Sequence, residues 1–208
     1  MSIYLDDNNK YIKLYGIVIN SELIERENMI PLYIFIASKL KNIKLVKNIH
    51  LRIFNLFSQT ISTLTGETNQ DIENFCLQEK IKYKENDFLP PKLINYIKNK
   101  LINFNFFEKI VVTHLQICIH QNEKLILKFK LSQTEKIKLK NVITQLNNLF
   151  NTRERIPKYI TIGYVINEDK QFFNYIKEMN NLLPSQLQFS IPTLFQHNNV
   201  DRYFRVYI

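Results

Sequence analysis

Little in this sequence would interrupt a folded domain. Its 208 residues include only three glycines and six prolines, with no stretch rich in glycine, proline or serine. No linker is therefore expected, and residues 1–208 are read as a single domain. No apolar run approaches the roughly 18 residues that a membrane-spanning helix needs. The longest, Met29 to Ala37, has about half that length and contains Pro31. The first residues, Met-Ser-Ile-Tyr-Leu-Asp-Asp, lack the basic start and apolar stretch of a secretory leader. There are only two cysteines, Cys76 and Cys118, without the spacing of a zinc site. Free thiols in a reducing compartment are the reading that fits, and a cytoplasmic location with no membrane association is expected. Also missing are a phosphate-cradling glycine loop and a nucleophile elbow. No metal and no cofactor are expected.

What is present is a large apolar share and an excess of lysine. Hydrophobic residues make up 45% of the chain and charged residues 23%, which is a globular composition. The formal net charge is +9. A basic balance favours phosphate-bearing partners, because cations near phosphate release counterions. The lysines are scattered, however, and an AT-biased coding sequence would raise lysine, asparagine and isoleucine together. Both explanations stand at this level.

Hydrophobic periodicity orders the elements. Tyr11 to Ile19 is rich in β-formers and predicts a first strand. Pro31 to Leu40 predicts a short buried helix with proline in its first turn. Leu45 to Phe54 predicts a strand, Asp71 to Lys80 a helix, and Lys92 to Phe104 a third helix with Leu93, Ile97, Leu101 and Phe104 on one face. Lys109 to Ile119 and Lys124 to Leu131 predict a hairpin about Gln121-Asn122-Glu123. Ser132-Gln-Thr-Glu135 is a capping-box sequence, opening a helix to about Phe150. Tyr159 to Ile166 predicts a strand and Lys170 to Leu183 a helix stopped before Pro184. Leu187 to Leu194 and Arg202 to Tyr207 predict two closing strands. This order implies an α+β fold built from split β-α-β units. Two such halves make a bilobed domain with a cleft between two sheets and helices outside.

Two segments carry polar residues at alternating positions of otherwise apolar strands. The first is Asn48-Ile-His50-Leu-Arg52-Ile-Phe54, the second Pro157-Lys-Tyr159-Ile-Thr161-Ile-Gly163. Residues two apart on a strand share a face. His50 and Arg52 thus share one face, and Tyr159 and Thr161 another, while Leu51, Ile53, Ile160 and Ile162 pack beneath helices. A polar cleft between two sheets accounts for such polar faces.

These two segments and the order of elements resemble the two-histidine (2H) phosphoesterase superfamily, which includes the 2′-5′ RNA ligase-like cyclic phosphodiesterases. The likeness extends over nearly the whole chain, including the closing strands. Members carry two His-x-Thr/Ser-x motifs facing each other across a cleft. Here the first motif reads His50-Leu-Arg52-Ile, with arginine for the hydroxyl residue. The second reads Tyr159-Ile-Thr161-Ile, with tyrosine for the second histidine. The resemblance implies a metal-independent phosphodiesterase acting on a phosphodiester or cyclic phosphate in RNA or a nucleotide. It assigns His50 as base, Tyr159 as acid, and Arg52 with Thr161 as phosphate ligands. An imidazole with an ordinary pKa of about 6.5 can take a proton near neutrality, whereas a phenol near 10 can only give one. Arg52 would bind phosphate oxygens in a fork that threonine cannot offer. The departures favour a divergent enzyme, or a binding or protein-interaction module on the same fold.

Other candidates weigh less. His114-Leu-Gln116-Ile mimics the motif, but leaves room for only a hairpin and one helix before Tyr159. His114 and His120, six residues apart on one strand, are expected to share a face yet lie too far apart for one metal. His197 is read as a loop residue before the last strand. Asp6-Asp7 and Glu168-Asp169 read as a solvated terminus and a helix N-terminal charge. Tyr203, Phe204 and Arg205 read as a strand closing a sheet.

Overall fold

The computed structural model describes residues 7–8, 10, 13–41, 43–45, 57–59, 80, 91–121, 123–150, 156, 158–166, 172–199 and 202–206. The expected strand over Leu45 to Phe54 is represented there only by its first residue, and the expected helix over Asp71 to Lys80 only by Lys80. His50, Arg52 and Cys76 lie outside the described residues.

In chain order the elements are β1 (Lys13–Asn20), a 3₁₀ turn (Arg26–Met29), α1 (Ile30–Lys39), β2 (Ile43–Leu45), β3 (Phe57–Gln59), α2 (Pro91–Leu101), β4 (Ile110–His120) and β5 (Lys124–Lys130). There follow α3 (Gln133–Phe150), β6 (Tyr159–Val165), α4 (Phe172–Asn181), β7 (Gln186–Phe189), β8 (Thr193–Asn199) and β9 (Arg202–Arg205). The fold is α+β. Among the described residues the strands form two antiparallel sheets, one of four strands in the order β3-β1-β8-β9, the other of five in the order β2-β6-β5-β4-β7.

Local chemistry explains the helix boundaries. Pro31 sits in the first turn of α1, where its missing N–H is no loss. At α3 the Ser132 hydroxyl accepts the Glu135 backbone N–H at 3.2 Å, an N-cap. The reciprocal half of the capping box does not form, because Glu135 Oε2 accepts the Val111 N–H at 3.2 Å instead. The carboxylate thus ties the helix start to β4, and Lys138 holds its other oxygen at 2.9 Å.

The core lies on one face of the five-stranded sheet. Ile110, Val112 and Ile117 of β4, Leu125 and Leu127 of β5, Ile160 and Ile162 of β6, and Leu187 and Phe189 of β7 are all buried there. Leu139, Val142, Ile143 and Leu146 of α3 join them at helical spacing, with Ile97 and Leu101 of α2 and Met179 of α4. Ile19 of β1 and Leu194 of β8 extend the same core to the four-stranded sheet. Phe35 of α1 meets Tyr175 of α4 edge-on, 5.8 Å between ring centres.

The expected strand from Leu187 to Leu194 is two strands in different sheets. Residues 22–24 run beside residues 188–190: Leu23 bridges Phe189, Ile24 N–H donates to Gln188 O at 2.9 Å, and Ser190 N–H donates to Glu22 O at 2.8 Å. Pro192 then breaks the ladder, having no N–H to donate, and the chain enters the second sheet at Thr193 opposite Asn20. Arg205 on the edge strand β9 donates to Glu22 Oε2 at 3.0 Å, across the same seam. His197, expected in a loop, is a strand residue of β8 paired in register with Gly16 and Tyr203. Among the described residues no helix is long and apolar enough to cross a membrane.

Candidate functional site

The opposite face of the five-stranded sheet is polar. Register puts Thr113, Gln116, Cys118 and His120 of β4 beside Lys130, Lys128, Ile126 and Lys124 of β5. Those in turn stand beside Tyr159, Thr161 and Tyr164 of β6, with Lys128 opposite Tyr159, Ile126 opposite Thr161 and Lys124 opposite Tyr164. Exposure is graded along this face. Ile126 and Tyr164 are buried; Lys124, Cys118, His120, Thr161 and Tyr159 are half-buried; Lys128, Gln116 and Lys130 are exposed. Tyr159 and Thr161 do share a face, alternating with buried Ile160 and Ile162.

One contact reveals the shape of this face. The rings of His120 and Tyr159 lie 5.2 Å apart, centre to centre, at an interplanar angle of 42°. His120 pairs with Lys124, and Tyr159 with Lys128 on the same strand, so the two are two strands and four positions apart. On a flat sheet, with strands about 4.8 Å apart and about 3.3 Å per residue, their Cα atoms would be roughly 16 Å apart and their side chains parallel. The rings meet only because the sheet curls and makes this face concave. Two irregularities add to the bend: β4 bulges between Thr113 and Gln116, and β6 shifts register between the partners of Leu125 and Ile126.

The bulge separates the two histidines of β4. His114 has φ +52° and is exposed, and its Nδ1 is 3.0 Å from Thr113 Oγ1. The alternation that would have placed it on one face with His120 is broken there. His120 ends the strand at a turn in which Glu123 N–H donates to His120 O at 3.1 Å, while Glu123 O accepts Val165 N–H at 2.9 Å. That turn fixes the end of β4 against the end of β6.

A side chain holds β4 on its other edge. β7 accompanies β4 only from Ile110 to Thr113. Beyond that, Asn180 of α4 takes the place of a strand. Its Oδ1 accepts the Ile117 N–H at 2.8 Å, and its Nδ2 donates to Ile117 O at 3.2 Å and to Ile176 O at 2.8 Å. Ile117 lies between Gln116 and Cys118, so the latch positions the strand carrying His120.

Of the residues expected at a site from sequence, Tyr159 and Thr161 stand together on the concave face. Sequence alone does not mark His120 as a neighbour of Tyr159. The signal it offered was Gln116-x-Cys118-x-His120, polar positions alternating with Ile117 and Ile119. Among the described residues, no three His, Cys, Asp or Glu side chains are grouped as a metal ion would need.

No protein-family model matches this chain, and no curated protein sequence matches it. A solved structure does. The crystal structure of a conserved protein of unknown function from Agrobacterium tumefaciens str. C58 superposes with a TM-score of 0.60 at 7% identity, covering 100% of this chain and 91% of that one. The two chains share a fold. Kluyveromyces marxianus Usb1 superposes with a TM-score of 0.38 at 8% identity, over 94% of this chain and 98% of that one, too distant to bear on activity.

Proposed function

We propose that this chain is a divergent 2H phosphoesterase-like protein whose two sheets are lobes of one domain. It binds a phosphodiester or cyclic phosphate of RNA or a nucleotide at the concave face and hydrolyses it slowly. The supporting observation is the placement of Tyr159 and Thr161, half-buried and adjacent on that face, with lysines at its exposed end. His50, assigned by its sequence pattern, takes a proton from the attacking water. Tyr159 gives one to the leaving oxygen, and Thr161 and Arg52 hold the phosphoryl oxygens. The test is incubation of the pure protein with 2′,3′-cyclic nucleotides and short 2′-5′ and 3′-5′ oligonucleotides. Turnover is expected, and His50→Ala should lower it on the order of 10² to 10⁴-fold. Turnover indifferent to His50→Ala and Thr161→Ala would refute the site.

A binding module is the second reading, favoured by the tyrosine at position 159, where the resembled family carries its second histidine. Calorimetry with uridine 3′-monophosphate separates the two: saturable binding without any turnover supports the module.

A further inference from the structure

We propose that the hollow takes the end of a single-stranded polynucleotide, with β5 as a track for the phosphates that follow the bound ester. The inference rests on the phosphoesterase reading above. Between the two ligands that reading allows, it chooses the polymer over the free nucleotide.

Shape gives the direction. His120 of β4 and Tyr159 of β6 come from the two strands that flank β5, and their rings lie 5.2 Å apart, centre to centre. Between those strands stands Ile126, fully buried although it shares the polar side of β5 with Lys124 and Lys128. The rings therefore close the hollow over Ile126. Toward the other end Gln116, Lys128 and Lys130 are all exposed, so among the described residues the hollow opens there. From β4 to β6 is two strand spacings, about 10 Å, which suits one extended chain and excludes a duplex. A ligand held at Tyr159 and Thr161 that is longer than one nucleotide thus has its way out along β5.

The side chains on that way out match such a chain. Lys128 stands beside Tyr159 in register, and Lys130 follows on the same side, two residues or about 6.6 Å further along. That step is close to the one between successive phosphates of an extended single strand. Among the described residues neither lysine is in an ion pair. Exclusion of charge from the core fixes which side these lysines take. Their step and their place at the open end are what assign them to successive phosphates. Gln116 beside Lys128, and Thr113 and Gln186 in the row of Lys130, add neutral donors and acceptors and no carboxylate. Contacts of this kind hold a backbone without selecting a base, and their strength falls with salt.

The experiment titrates the full chain with 3′-phosphorylated oligouridylates of one to five nucleotides by calorimetry, and compares a blunt RNA duplex with its separate strands by fluorescence anisotropy. Each lysine contact is expected to add about two- to fivefold, the worth of an exposed ion pair, so affinity should rise about 4- to 25-fold from one phosphate to three. A fourth or fifth nucleotide should add little, and the duplex should bind more weakly than either strand. In the parent, the slope of log K against log salt should steepen by about 1.4 between one and three nucleotides, a readout that needs no variant to fold. Lys130→Ala should weaken the trinucleotide about two- to fivefold, more than it weakens uridine 3′-monophosphate, and should return about 0.7 of that slope. A trinucleotide bound no tighter than uridine 3′-monophosphate, an equal effect of Lys130→Ala on both, or a duplex bound as tightly as its strands overturns the track while the phosphoesterase reading stands. If no uridylate of any length binds, both fall together.

Discussion

Replacing Asn180 tests whether a single side chain substitutes for a missing strand. Three hydrogen bonds would be lost in Asn180→Ala, two to the backbone of Ile117 and one to Ile176 O. Each is worth about 1 kcal/mol net, and a backbone group left unpaired in a partly buried site costs about 1–3 kcal/mol. Water can reach part of this site, so the expected loss is about 2–4 kcal/mol rather than the full sum. Asn180→Asp separates hydrogen bonding from packing. Its Oδ1 still accepts the Ile117 N–H, but its second oxygen faces the Ile117 and Ile176 carbonyls, so it should lose at least as much as alanine. Urea unfolding of parent and variants, with an unchanged m value, reads the difference. Amide exchange at Ile117 should accelerate in parallel, since its N–H loses its acceptor. A loss below about 0.5 kcal/mol for alanine, or a wild-type midpoint for aspartate, would refute the latch.

Three further outcomes follow from other elements. The Tyr33 hydroxyl is buried without a hydrogen-bond partner among the described residues, and burial holds its pKa well above the ordinary phenol value. Tyr33→Phe should thus be neutral or stabilising by up to about 1 kcal/mol in thermal unfolding. Because the unfolded chain ionises first, the phenol leaves stability independent of pH below about pH 10 and lowers it as pH rises beyond that, and Tyr33→Phe should remove that part of the slope. At the start of α3, Ser132→Ala should cost about 1 kcal/mol in chemical unfolding through the lost cap, and Glu135→Ala about 1–3 kcal/mol through the unpaired Val111 N–H. His114 occupies the left-handed region, so His114→Gly should stay within about 1 kcal/mol of the parent while His114→Val costs more, both read from melting curves.

Local chemistry was legible in the sequence; tertiary chemistry was not. The hairpin about residues 121–123, the start of α3 at Ser132 and the stop of α4 before Pro184 follow from signals spanning a few residues, and all are present. The Leu187–Leu194 segment misled because its apolar pattern is continuous. Its division depends on Ser190 pairing with Glu22 and on Pro192 having nothing to donate, which only the arrival of residues 22–24 makes plain. His197 misled for the opposite reason: His-Asn-Asn looks like a turn, yet β1 and β9 flank it and make it strand. Glu135 was expected to close a capping box, but the Val111 N–H offered a tertiary partner. At the candidate site, alternation was enough to put Tyr159 and Thr161 on one face. It could not bring His120 to them, because side-chain parity says nothing of how far a sheet curls, and the bulges that help it curl fall at ordinary residues.

The charge on the concave face narrows what that face can meet. β5 is the central strand, and it places Lys124, Lys128 and Lys130 on one side while Leu125 and Leu127 fill the core on the other. None of the described register positions on that side of β4, β5, β6 or β7 carries a carboxylate. Lys128 and Lys130, both exposed on that side, are like charges two residues apart, an arrangement that an anion on this face would ease. Coding bias can raise the number of lysines. The exclusion of charge from the core then sends those on β5 to this side, beside the His120–Tyr159 pair. The proposal of a phosphate site on that face is therefore tested by position rather than by the net charge of +9. Lys128→Glu with Lys130→Glu, neither touching the core, should accordingly weaken uridine 3′-monophosphate binding more than reversal of two exposed lysines on α3, Lys136 and Lys140, at equal net charge. Equal weakening by the two pairs would mean that overall charge alone attracts the nucleotide, and the concave face would lose its claim.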